Sequence, residues 1–188
     1  VVRARVDRAG ECLVHLVRAL RFTVVIHQNA HVLVDRFEGK RLNRPNDCVV
    51  YVDGTVWFTD PDFLFSQRKD EVKELTEQNL YRYDPRTRAL TAAARGFNKP
   101  NGLAFSPDGK SLFVTDSAGS DIFRFAVAAD GTLGPREIFA TLKVRGLDGL
   151  AFAPVGADLK NGRTRQATVG EQHGLVEAGL ARLGPFGR

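Results

Sequence analysis

Three stretches of this chain repeat one another, and the spacing of the repeat constrains the fold more than any other feature. Arg44 opens RPNDCVVYVDGTVWFTDPD, Lys99 opens KPNGLAFSPDGKSLFVTDSA and Arg145 opens RGLDGLAFAPVGADL. In register, Pro45-Asn46-Asp47 aligns with Pro100-Asn101-Gly102 and then with Leu147-Asp148-Gly149. Each triplet stands directly before an apolar run. The first two copies also share an Asp-Gly turn, Asp53-Gly54 and Asp108-Gly109, and a strand-like run ending in Thr-Asp at Asp60 and Asp116. The aligned residues Asn46, Asn101 and Asp148 are 55 and 47 residues apart. A period of about 40–50 residues holding four short strands is the pattern of a propeller blade.

The middle copy predicts all four strands. Leu103 to Phe105 is the inner one, Asp108-Gly109 turns the chain, and Ser111 to Thr115 is the second. Ile122 to Val127 alternates and is the third; Glu137 to Leu142 is the fourth. The earlier copy matches it with an apolar run from Cys48 to Val52, the run ending at Asp60, and an outer hairpin over Asn79 to Ala94. The expected fold is therefore all-β, a β-propeller of four-stranded blades that is incomplete in this chain, with about three recognisable blades over residues 31–152. Residues 1–30 and 153–188 diverge from the blade pattern, and Leu175 to Leu183 reads as a short helix. At about 50 residues per blade a six-bladed ring needs about 300 residues, and the chain has 188. The expectation is a coding sequence that continues on both sides, with ends that are divergent, truncated or read out of frame.

The repeat also predicts a site. In a propeller the inner strands line a central channel, so residues just before successive inner strands gather at one end of it. Asn46, Asn101 and Asp148 occupy those positions. Carboxamide and carboxylate oxygens from three blades suit a divalent cation, with Ca²⁺ the natural occupant and Mn²⁺, Mg²⁺ or Zn²⁺ as alternatives. Asp148 is the one carboxylate of the three and can also serve as a base. Asn, Asp and Gly are ordinary turn residues as well; three occurrences in register, each heading an apolar run, favour the shared site.

These residues resemble a known family. NRPND followed by DGTVWFTDP, then YRYDP and NKPNGLAFSPDGKSLFVTDS, is similar to the gluconolactonase/regucalcin-like six-bladed propellers, over about Val32 to Phe152. The resemblance implies hydrolysis of small sugar lactones with a divalent metal, usually Ca²⁺, bound at the top of the channel. It places Asn46, Asn101 and Asp148 at metal-binding positions and makes Asp148 the general base. Asp47, Asp60 and Arg44 become candidates for substrate contact, although Asp47 and Asp60 equally suit turn caps. The family supplies a further acidic ligand ahead of the Pro-Asn-Asp motif. Asp7 and Glu11 are the acids among the first thirty residues here and do not sit in such a motif, and Glu38 is not at the ligand position. The alternative function is a non-catalytic propeller that binds a partner, or an inactive fragment of the lactonase, because fold does not imply function.

Composition narrows the classes further. The chain is 43% hydrophobic and 26% charged, ordinary for a globular core. Its net charge is +5, but Lys and Arg are mixed with acids and no nucleic-acid motif accompanies them, so no nucleic-acid partner is expected. No apolar stretch approaches the ~20 residues of a membrane span. The run from Val14 to Ile26 is broken by His15, Arg18 and Arg21 and is not a clean signal peptide. These features point to a cytoplasmic protein without a membrane partner. Cys12 and Cys48 make no disulfide framework, and Cys48 in its apolar run reads as a small core residue. His27 and His31 are four apart but follow a strand-like run and have no third ligand nearby. The charged QRKDEVKELTEQ, Gln67 to Gln78, reads as a solvated loop or short helix over the channel mouth. No Gly-rich phosphate loop is present, and the absence of nucleophile-elbow motifs argues against a serine hydrolase.

Overall fold

Alternating runs joined by Asp-Gly turns fold into antiparallel sheets. The computed structural model describes residues 2–6, 12–16, 31–63, 65, 71–142, 146–147, 149–152, 166–172 and 175–181. They fall into two units, Val1–Lys99 and Pro100–Arg188.

In the first unit, β1 (Val2–Val6) lies between β2 (Cys12–Leu16) and β3 (His31–Val34), antiparallel to both. A short hairpin follows, β4 (Arg36–Phe37) and β5 (Lys40–Arg41). Its two-residue turn, Glu38-Gly39, has both φ angles positive, at 51° and 77°, which suits the right-handed twist of the strands it joins. Next comes a four-stranded meander: β6 (Cys48–Val50), β7 (Val56–Asp60), β8 (Asn79–Asp84) and β9 (Ala89–Ala94), in that spatial order and antiparallel throughout. The turn between β6 and β7 is the expected one. Gly54 takes φ 83° and donates its N–H to the Tyr51 carbonyl at 2.9 Å, while Asp53 Oδ1 accepts the Thr55 N–H at 2.8 Å.

All five residues of β7 are buried, so this strand shows a continuous run instead of alternation, as a strand covered on both faces does. On one face Phe58 packs with Phe37, Leu42, Val56, Leu75, Tyr81 and Tyr83, and Cys48 joins from the margin. The Phe58 and Tyr81 rings stack at 5.4 Å, and Phe37 meets Tyr81 edge-on at 5.0 Å. Trp57 is fully buried, and its indole N–H donates to Thr55 Oγ1 at 2.9 Å, which satisfies the one polar atom that burial would otherwise strand.

In the second unit the meander recurs as β10 (Pro100–Phe105), β11 (Ser111–Asp116), β12 (Asp121–Ala126) and β13 (Glu137–Thr141), again in sequential antiparallel order. Ala104, Phe113, Ile122, Leu147 and Leu150 form its core, with Phe139 set edge-on to Phe113 at 5.0 Å. The fold class is all-β, built from the four-stranded antiparallel sheets of propeller blades. The third copy keeps its inner strand as β14 (Leu150–Phe152), but this strand pairs in parallel with β15 (Gln166–Gln172), which is antiparallel to β16 (Leu175–Ala181). The short helix expected over Leu175 to Leu183 is thus corrected: its described part, Leu175–Ala181, is a strand. Its seven residues each pair with one on β15, so the ladder overrides the local helix preference of a Leu- and Ala-rich run that Gly179 already weakens. Among the described residues no helix is long and apolar enough to cross a membrane.

Candidate functional site

In the first unit the end of β7 holds the Arg44-Pro45-Asn46-Asp47 segment. Thr59 and Asp60 do this with main-chain and side-chain atoms together. The Asn46 N–H donates to the Thr59 carbonyl at 2.9 Å, and the Thr59 N–H returns to the Asp47 carbonyl at 3.0 Å. The Asp47 N–H reaches Thr59 Oγ1 at 3.3 Å, and Asp47 Oδ1 accepts the Cys48 N–H at 2.9 Å. Asp60 is fully buried. Its two oxygens accept the N–H groups of Asn43 at 2.8 Å and Arg44 at 2.7 Å. This is the capping role that a strand-end acid can play. Burial pushes the Asp60 carboxyl up to about 7, against the pull of those two amides. Asn43 is part of the same knot: its Nδ2 donates to the Glu77 carbonyl at 2.8 Å, and its Oδ1 is buried without a hydrogen-bond partner.

The Arg44 side chain is set by groups that sequence reasoning did not single out. Its guanidinium forms an ion pair with Glu71 and lies over the Phe65 ring, 5.6 Å from the centroid. Glu71 belongs to the charged insertion, whose described part, residues 71–78, runs without helix. Nearby in sequence, Asp62 is gripped by Lys73 at 2.6 Å and by Lys99. Burial pushes the Asp62 carboxyl up, but the two ammonium groups outweigh it and hold it below the ordinary carboxylate range. Gln78 Oε1 accepts the main-chain N–H of both Asp62 and Lys99, at 3.0 and 3.1 Å. Lys99, with φ 69°, therefore occupies the left-handed region under restraint from its own side chain and backbone.

In the second unit Asn101 is buried. Its Nδ2 donates to the Leu147 carbonyl at 3.1 Å and to Ser117 Oγ at 3.3 Å. Ser117 also donates its hydroxyl to the Leu147 carbonyl, and its own carbonyl accepts the Gly146 N–H at 3.4 Å. The Asn101 side chain is thus bonded to the residue directly before Asp148. Asp148 itself lies outside the described residues, as does His27. Ser117 was missed in the sequence, although it follows the Thr-Asp end of β11 and is the first residue able to reach across. These two bonds engage the nitrogen of the Asn101 amide. The oxygen on its other branch is a hard donor of the kind that a divalent cation takes. Among the described residues no group of three or more His, Cys, Asp or Glu side chains is placed to hold a metal; the candidate donors are instead amides and the acid that follows Leu147.

Four-stranded antiparallel blades whose inner strands are headed by Pro-Asn define a protein of the propeller class. Comparison with known proteins makes this specific: the chain belongs to the SMP-30/Gluconolactonase/LRE-like family, whose profile matches residues 3–158. A gluconolactonase from Zymomonas mobilis is 32% identical over 146 residues, which is 76% of this chain and 41% of that protein. A lactonohydrolase from Aspergillus oryzae is 33% identical over 91 residues, 48% of this chain and 21% of its own length. The solved structure of a gluconolactonase from Xanthomonas campestris aligns with TM-score 0.58 and 42% identity, over 64% of this chain and 41% of that one. The chain therefore spans about two fifths of the length of the first of these relatives and of the solved structure.

Proposed function

We propose that this chain carries the site of a metal-assisted hydrolase of sugar lactones. Family membership supports the reaction class. The observation that carries the site is the bond from Asn101 Nδ2 to the Leu147 carbonyl at 3.1 Å, which ties one proposed ligand to the residue preceding another. Asn46, Asn101 and Asp148 are the proposed oxygen donors to a divalent cation, with Ca²⁺ favoured by the all-oxygen set. Such a cation, when bound, supplies Lewis-acid polarisation of the lactone carbonyl.

The chain's own residues account for the rest. The Asp148 carboxylate takes a proton from the attacking water as its oxygen bonds to the carbonyl carbon. The ring C–O bond then breaks, and the departing ring oxygen receives a proton, which yields the open hydroxy acid. Arg44, with its main chain held by Asp60, offers guanidinium N–H groups to substrate oxygens. Asp47 keeps the Pro-Asn segment against Thr59 and so orients Asn46.

The test is hydrolysis of glucono-1,5-lactone by the purified chain with added Ca²⁺, Mn²⁺ or Zn²⁺, beside Asp148→Ala and Asn101→Ala. Metal-stimulated turnover lost in both variants is the expected result. Folded protein without metal-stimulated turnover would refute the proposal.

A further inference from the structure

Ser117 directly follows β11 and is buried, as are Asn101 and Leu147. Its hydroxyl donates its proton to the Leu147 carbonyl, and the same oxygen accepts from Asn101 Nδ2 at 3.3 Å. Asn101 Nδ2 also donates to the Leu147 carbonyl, at 3.1 Å. The three bonds close a ring of polar atoms, and that ring decides which way the Asn101 amide faces. A carbonyl only accepts, so the amide branch beside Leu147 must be the NH2. The Ser117 proton is committed to that carbonyl, so its oxygen also calls for a donor. Both partners select the nitrogen branch. A flipped amide would set its oxygen against the Leu147 carbonyl in a buried place, and that leaves polar atoms unpaired. The main chain of Ser117 adds a second hold, because its carbonyl accepts the Gly146 N–H at 3.4 Å. One residue thus ties the end of β11 to both Gly146 and Leu147, the latter directly ahead of Asp148 in the chain.

We propose that Ser117 is a positioning residue for cation binding: its hydroxyl keeps the oxygen of the Asn101 amide, not the nitrogen, as the branch offered to a divalent cation, and it holds the main chain that leads into Asp148. This rests on the reading that Asn101 and Asp148 are oxygen donors to such a cation. Ser117 itself touches neither metal nor substrate. The amide NH2 is a donor only, so an amide turned the other way is a conformer that cannot bind. Partners that orient metal ligands in this manner are worth about ten- to a hundredfold in affinity.

Calorimetric Ca²⁺ binding by wild type, Ser117→Ala, Ser117→Thr and Ser106→Ala tests this. Ser106→Ala is the control: the Ser106 hydroxyl donates to Asp108 at 2.6 Å and accepts the Ser111 N–H at 3.0 Å in the turn between β10 and β11, so its loss loosens the same unit without touching Asn101. We expect Ser117→Ala to bind Ca²⁺ about tenfold more weakly or worse, Ser117→Thr, which keeps the hydroxyl, to restore binding, and Ser106→Ala to leave it unchanged. Should Ser117→Ala not fold, Ser117→Cys, whose thiol is a weak donor of nearly the same shape, makes the same comparison. A second readout needs no metal. In chelator-treated buffer the side-chain NH2 protons of Asn101 should exchange with solvent about tenfold faster in Ser117→Ala than in wild type, by NMR. If wild type binds Ca²⁺ and Ser117→Ala binds it equally well, or Ser106→Ala weakens it as much, the inference is overturned and Ser117 only braces its loop. If wild type binds no divalent cation, the metal reading falls, and proton exchange decides alone: an unchanged rate overturns the hold of Ser117 on the amide, and a faster rate upholds it.

Discussion

Asp60 makes a prediction that separates its buried, capping role from that of a solvent-facing carboxylate. Its carboxyl is pushed from 3.8 up to about 7 in the folded chain. Between those values the folded state binds a proton that the unfolded state does not, so folding is favoured by acid. The contribution is complete below the unfolded value and disappears as pH rises through about 7. From pH 8 down to pH 5.5 the wild type should gain about 2 kcal/mol from this group, at about 1.4 kcal/mol per pH unit once below the folded value. Asp60→Asn has nearly the same shape but cannot titrate. Its single carbonyl oxygen accepts one of the two amides, of Asn43 or Arg44, while its NH2 faces the other. The assay is urea unfolding of both proteins at pH 5.5 and pH 8. The stability difference, wild type minus variant, should be about 2 kcal/mol larger at the lower pH, because every other titrating group is common to both. Asp60→Ala, which orphans both buried amides, should cost about 2–5 kcal/mol at pH 5.5. Parallel pH dependence in wild type and Asp60→Asn would refute the reasoning, since it would mean that Asp60 titrates where an exposed acid does.

Three further outcomes follow from particular contacts. Phe58→Ala leaves a void in the first core where its ring stacks on Tyr81, and should lower unfolding free energy by about 3–5 kcal/mol in urea. Gly54→Ala meets no atom within 4 Å but must hold φ 83°, so a loss of about 1 kcal/mol, seen as a lower melting temperature, reports backbone strain alone. Asn101→Ala leaves Ser117 to serve the Leu147 carbonyl, so it should cost only about 1 kcal/mol of stability while abolishing metal-stimulated lactone hydrolysis; loss of folding instead would show Asn101 to be chiefly a structural residue.

The sequence exposed the elements whose signal is local. The four strands of the middle copy lie within a few residues of their expected bounds, because each is delimited by a turn residue: Gly109 with φ 70° after Asp108, and Gly131 with φ 80° after Asp130. Cys48 was legible as a small member of the core margin for the same reason, since it starts an apolar run. Long-range geometry was not legible. Nothing local distinguishes Glu71 from the other acids of its insertion, and only the folded chain shows it to be the partner of Arg44. Likewise Ser117 looks like one more turn residue until the Leu147 carbonyl, thirty positions on, is seen to accept its hydroxyl. The helix expected near the C-terminal end failed because a run such as LVEAGLA has no fixed preference apart from its pairing partner, here Gln166–Gln172.

What ties the two most similar copies together is the coupling of their two motifs. Pro-Asn-Asp and Thr-Asp are separate signals in the sequence, but in the structure the second holds the first. In the first unit Thr59 exchanges main-chain bonds with Asn46 and Asp47 and accepts the Asp47 amide at its hydroxyl. In the second unit the corresponding Thr115 hydroxyl donates to the carbonyl of Gly102, which stands where Asp47 stands in the first, at 3.3 Å. A threonine suits both cases, because its β-branch favours the extended backbone of a buried strand while its hydroxyl can either accept or donate. The residue held is the one after the asparagine, so the clamp fixes the backbone directly beside it: Asn46 stands two residues ahead of β6, and Asn101 is the second residue of β10. The recurrence of Thr-Asp about fourteen residues after each Pro-Asn therefore has a physical cause that does not depend on any metal: the threonine fixes the backbone next to each asparagine.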